Sequence, residues 1–173
     1  MSSDKIRCNW ANGSENMKIY HDTEYGFPVE DNNEIFERLM LEAYQAGLSW
    51  QLVLNKREGF NKVFFNFDLK KVASLDEDYL ESIRQNPDII RNKLKLKATV
   101  HNAKICLDKI EEFGSLLNYF AQLPHKPDKL KECVKIMKKQ GFKFIGNLVL
   151  EEFFMSIGLN KVKHSKDCFL YDK

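Results

Sequence analysis

Apolar residues recur at helical spacing along most of the chain, and they never alternate over a useful length. The clearest stripe runs through IFERLMLEAYQAGLSW, Ile35–Trp50. Ile35, Leu39, Glu42 and Ala46 fall at i, i+4, i+7 and i+11, and Phe36, Met40 and Ala43 widen the face. Gly47 can take the left-handed conformation that closes a helix. Ser49 is a good N-cap for the next helix, with Leu48 and Val53 placed for a hydrophobic staple and Trp50 in its first turn. The pattern predicts a helix–turn–helix corner with an acid on one side and an indole on the other. Glu42 thus points where hydrocarbon points. Such a glutamate ordinarily sits at the stripe's edge, and a tryptophan after a turn is ordinarily core. On this segment alone both readings stay open.

Two short helices follow, one over Ser49 to about Glu58 and one through FNKVFFNFD, whose Asp68 caps LKKVASL. Asp76 opens another through Arg84. The longest candidate spans 86–114, with Ile89, Ile90, Leu94, Ala98, His101, Ile105 and Ile110 as its apolar face and Gly114 as its stop. Ser115–Leu123, Lys129–Lys139 and LVLEEFFMSI, capped by Asn147, complete the set, with FKFIG as a short extended piece or tight turn. Residues 1–33 read as an irregular arm with one helical turn near Met17–Asp22. The tail LNKVKHSKDCFLYDK is too polar to hold itself. The expectation is an all-α fold in a single domain, 1–173.

Composition narrows the classes. The 173 residues, 43% of them hydrophobic and thirteen of them phenylalanine, suffice for one real core. A formal charge of +2 argues for no partner by itself. MSSDKIRCNW lacks a signal-peptide core and no apolar run could span a bilayer, so a cytoplasmic protein with reduced thiols and no membrane partner is expected. The early turns of the long helix carry Arg91, Lys93, Lys95 and Lys97. Positive charge there opposes the helix dipole, a cost that a phosphate partner would remove; a solvated face is the simpler alternative.

His164 and Cys168, spaced H-x-x-x-C, fall on one face of a helical turn, and Cys8 and His21 lie near the other terminus. Together they make a Cys2His2 set, the donors of a closed tetrahedral zinc site. One zinc ion per chain could clamp two segments too polar to pack alone. Four unrelated residues are the alternative. Four protein ligands leave no open position, which assigns the metal a structural role and disfavours a zinc hydrolase.

YHDTEYG, LEAYQAGLSW, IIRNKLKLKA…NA, GFKFIG and the terminal H-x-x-x-C occur in the order found in the DNA-3-methyladenine glycosylase I family, which the chain resembles from Cys8 to Cys168. The resemblance implies an all-α base-excision glycosylase related to the helix–hairpin–helix glycosylases, its termini joined by zinc. It implies a monomer that removes 3-methyladenine from double-stranded alkylated DNA and leaves an abasic site, with the free base as product. Carried over by position, Glu42 is the pocket acid, Trp50 the stacking indole and Tyr20 the phenol, with Trp10 and Tyr25 as pocket walls. Cys8, His21, His164 and Cys168 match the zinc ligands. Gly47 and Leu48 match the turn that probes DNA where the base has left; Arg91, Lys93 and Lys95 are phosphate candidates from the charge run of the long helix alone. Departures occur at Met17, where the family has a tyrosine, at Tyr25, where it commonly has a tryptophan, and after GFKFIG, where Asn147–Glu151 replace threonines and a tyrosine. They raise an alternative: a zinc-clamped binding module that has kept the scaffold and weakened the catalysis.

Overall fold

The structure, a computed structural model, describes residues 5–173, and among them there are helices and turns but no strand. The α-helices are α1 (Glu15–Thr23), α2 (Asn32–Gln45), α3 (Trp50–Val63), α4 (Leu69–Ala73), α5 (Glu77–Ile83), α6 (Lys93–Phe113), α7 (Leu116–Gln122), α8 (Leu130–Lys139) and α9 (Asn147–Ser156). Short 3-10 turns cover Asn9–Gly13, Phe65–Phe67 and Pro127–Lys129. Most starts are set within three residues. Ser14, Asp31, Ser49, Asp68, Asp76, Asn92 and Ser115 each accept a backbone N–H from the first turn of the helix that follows. Asn147 does not cap α9; Gly146 occupies that position.

Helix α2 is the axis of the molecule. Every residue from Ile35 to Tyr44 is buried, and the helix packs against α3, α6, α7 and α9. A helix enclosed this way must satisfy its own charges. Arg38, 1% exposed, donates to the Ser156 carbonyl and pairs with Glu34 and Glu24. Arg57 on α3 bridges Glu24 and Glu37. This network ties α1, α2, α3 and α9 together beside the apolar core.

Several boundaries differ from expectation. The corner helix runs on through Val63 instead of stopping near Glu58, so the aromatic run forms its second half and a 3-10 turn. Gly59 lies inside it because a Cβ there would overlap the Asp88 carbonyl. The arm is more ordered than its polarity suggested, with α1 a full helix. The tail is tied down as well: Phe169 donates its N–H to the Ile6 carbonyl, and Cys168 and Leu170 are buried.

The long helix requires a larger correction. It starts at Lys93, so Ile89–Asn92 lie outside it and cannot set its phase. Its buried stripe is Leu96, Thr99, Val100, Ala103 and Cys106, while Leu94 is 66% exposed. That rotation puts Lys95 inside. Its ammonium donates to the carbonyls of Tyr44 (3.0 Å) and Ala46 (3.3 Å) at the C-terminal end of α2, and burial lowers its pKa. Lys95 is therefore not a free phosphate contact; it caps α2, where a cation complements the helix dipole. Replacing it, Lys95→Met, is expected to cost about 1.5–3 kcal/mol, the range for hydrogen bonds to a charged group. A thermal melt should show the loss, while the salt slope of DNA binding should not move. An unchanged midpoint would refute the capping role.

Candidate functional site

The α2–α3 corner opens into a cavity of about 510 Å³ lined by Trp10, Met17, Tyr20, Tyr25, Glu42, Gln45, Trp50, Leu148, Glu152, Met155 and Lys163. That volume lies within the range of small-molecule sites, about 300–1,000 Å³. Gly47 closes α2 at φ +80°, which a side chain would resist, and Ser49 starts α3 by accepting the Leu52 N–H. The sharp turn sets Trp50 against the cavity that Glu42 faces from α2. The structure thus brings together Glu42, Trp50, Tyr20, Trp10 and Tyr25, residues drawn from four separate stretches of chain. Gly47 lies exposed at the corner's tip and Leu48 is half-buried.

The walls are aromatic. Tyr20 packs on Trp50 with ring centroids 5.2 Å apart, and on Tyr25 at 5.8 Å. Trp10 meets Tyr25 edge-on at 5.3 Å. The Arg38 guanidinium lies 5.4 Å from the Tyr20 ring centroid. Tyr20 is buried, and its hydroxyl has no hydrogen-bond partner among the described residues, so it does not donate to Glu42.

Glu42 is 5% exposed. Burial pushes its pKa up to about 8; an ionised Glu152 adds to the rise and Arg38 opposes it. Its carboxyl is costly to ionise in the free protein. The edge-of-stripe alternative, in which it reaches a lysine, does not occur: no salt bridge to Glu42 is found among the described residues. Burial also raises the Glu152 and Tyr25 pKa values.

Cys8, His21, His164 and Cys168 converge as anticipated, with all four donor atoms within 4.8 Å of one another. Cys8 Sγ lies 3.4 Å from His164 Nδ1, Cys168 Sγ lies 3.4 Å from His21 Nε2, and Cys168 Sγ lies 3.7 Å from His164 Nδ1. His21 Nδ1 contacts Asp22 Oδ1 at 2.9 Å, and Asp22 in turn pairs with Arg7. The N–H groups of Ser165 and Leu170 point at Cys8 and Cys168 Sγ. This cluster could hold a metal ion. One expectation fails here: His164 and Cys168 lie in irregular turns, not on a helix. Convergence from two chain ends needs a curled tail more than a straight one.

Arg91 and Lys93 are exposed beside the start of α6, whereas Lys97 pairs with Glu77. Sequence reasoning missed Glu152, reading its helix only as apolar. A signal existed, because Leu148, Glu152 and Met155 fall at i, i+4 and i+7, the same acid-in-stripe pattern as Glu42.

Comparison with known proteins gives a consistent picture. The methyladenine glycosylase family model matches residues 10–171. The DNA-3-methyladenine glycosylase of Haemophilus influenzae is 37% identical, with 94% of this chain and 96% of that protein covered. DNA-3-methyladenine glycosylase 1 of Escherichia coli is 34% identical, covering 88% and 90%. The solved structure of Staphylococcus aureus 3-methyladenine DNA glycosylase I, which describes 3-methyladenine recognition, superposes with a TM-score of 0.84 at 29% identity, covering 94% of both chains.

Proposed function

The chain belongs to the methyladenine glycosylase family, and from that premise we propose that it is a monofunctional DNA glycosylase that excises 3-methyladenine from alkylated duplex DNA, leaving an abasic site. The observation that carries the reading is a buried carboxyl set against an aromatic-walled cavity sized for a small molecule. A base inside a duplex must first be extruded, which costs a few kcal/mol. As a nucleotide, 3-methyladenine is cationic, so its glycosidic bond is already weak and the protein's main task is selection. Trp50 can stack on the charged ring. Glu42 offers its carboxylate to the exocyclic amine, and the unpartnered Tyr20 hydroxyl is available to a ring nitrogen. A neutral adenine gains less from each while still unstacking. As the C1′–N bond breaks, its electron pair moves to the base and cancels the charge; water adds at C1′ and its proton leaves to solvent.

Gly47 and Leu48 at the corner's tip are the segment we assign to the gap in the duplex, with Arg91 and Lys93 on phosphates. Replacing Lys93 by alanine should flatten the dependence of log K on log salt by roughly one unit. An unchanged slope would make it a solvated residue only.

For the Cys2His2 cluster we assign zinc. Bonds of about 2.3 Å to sulfur and 2.0 Å to nitrogen give S···N edges of about 3.5 Å in a tetrahedron, against the 3.4, 3.4 and 3.7 Å found. The Asp22–His21 contact would fix the tautomer of a ligating imidazole. The ion would clamp the chain ends, and with four protein ligands it has no open position for water, so no chemical step passes through it.

The direct test is release of 3-methyladenine from methylated DNA by the purified protein, followed by chromatography of the freed base. Release is the expected result. Binding of abasic duplex without release would favour the scaffold alternative, for which the intact pocket offers no support.

A further inference from the structure

The cavity contains a second acid. Glu152 faces it from α9, with Leu148 and Met155 one turn to either side, while Glu42 faces it from α2, against which α9 packs. Their settings differ. Glu42 is buried on the inner wall, whereas Glu152 is exposed to solvent at the mouth. The Tyr25 hydroxyl donates to Glu152 Oε2 at 3.4 Å. A tryptophan at position 25, the residue the family commonly shows, could not place a hydroxyl there. Lys163, also on the rim, pairs with Glu151 at 3.1 Å rather than with Glu152.

Two carboxyl groups sharing one cavity oppose each other's ionisation. The charge of Glu152 acts on Glu42, and Arg38 only partly offsets it. The Tyr20 hydroxyl, buried and without a partner among the described residues, lines the same space and is available to an occupant. An occupant with fixed positive charge relieves both acids at once. A neutral one of the same shape relieves neither.

We propose that Glu152, steadied at the cavity mouth by Tyr25, is a second specificity-determining carboxylate that acts with Glu42 to select permanently cationic alkylated purines over neutral purines of the same shape. This rests on reading the cavity as the base pocket. Because Glu152 is partly solvated, its share resembles that of an exposed ion pair, roughly threefold in affinity.

The test titrates the purified protein with two free bases at a pH where 3-methyladenine is uncharged: 3-methyladenine itself, and 3,9-dimethyladeninium, a permanent cation whose N9 methyl stands for the sugar. The quantity read is the ratio of the two affinities. In the parent it should favour the cation. Glu152→Gln should lower it about threefold, and Tyr25→Phe should lower it less. The double variant should go no further than Glu152→Gln alone, since Tyr25 acts through the carboxylate. Glu152 is solvent-exposed, so its variant should fold, and a thermal melt checks this. An unchanged ratio in Glu152→Gln overturns the proposal, as does a parent that binds 3-methyladenine but not the cation. Failure of the parent to bind either base would instead overturn the base-pocket reading itself.

Discussion

Glu42→Gln is expected to yield a protein that is more stable than the parent in alkaline solution and much poorer at holding the base. The folded carboxyl titrates at about 8 against an ordinary 4.5, burial being the main cause. Between those values the unfolded chain ionises while the folded one keeps its proton. The contribution of Glu42 to stability is therefore full below about pH 4.5 and is lost as pH rises through about 8. Glutamine has no such transition. At pH 4 the two proteins should melt nearly together; by pH 8 the variant should lead by about 2–4 kcal/mol. Binding should move the other way. Loss of a charge-assisted hydrogen bond is worth about 1.5–3 kcal/mol, or roughly 10- to 150-fold in affinity for 3-methyladenine. Calorimetric titration beside melts at the two pH values reads both effects. A variant that binds as tightly as the parent would remove Glu42 from base reading. One that is destabilised at every pH would make it a structural core group.

Removing the metal, or one of its ligands, should have the largest effect on stability. The arm and tail meet through the Cys8, His21, His164 and Cys168 cluster and a small apolar contact of Cys8, Cys168, Leu170 and Phe169. That contact is too small to hold two polar segments. Binding free energy at such a site is folding free energy. Metal analysis should return one zinc per chain. Chelation or Cys168→Ala should cost about 3–5 kcal/mol, the scale of losing a native covalent crosslink, and lower the midpoint by roughly 6–20 °C. Trp10 sits between the clamp and the cavity, with ring centroids 5.3 Å from both His21 and Tyr25. Base binding should therefore weaken as the clamp opens. A metal-free Cys168→Ala protein with the parent's midpoint would sink the structural assignment.

The two acids of the cavity show how differently sequence and structure speak. Glu42 was legible because its anomaly is local. A carboxylate on an apolar stripe, a left-handed glycine and a serine cap all lie within one short segment, and each acts over three or four residues. The same locality explains why Asp68, Asp76 and Ser115 announced their helices, and why the all-helical class followed from periodicity. The metal cluster was legible for a different reason. His164 and Cys168 are four residues apart in one polar end segment, and Cys8 and His21 lie in the other, so each end brings one thiol and one imidazole.

What depended on contacts between distant segments could not be read. Lys95 is inside because the phase of α6 is set by packing on other helices, α4, α7 and α2 among them, and the non-helical Ile89 and Ile90 suggested a different phase. Arg38 is tolerated at 1% exposure only because Glu24 and the Ser156 carbonyl arrive from other helices. Glu152 became part of the site only when α9 packed on α2 and brought its carboxylate to Tyr25. Periodicity and capping are short-range and written in neighbouring residues. The partner of a buried charge is chosen by the fold, so that only the tertiary structure decides which acids and bases share one cavity.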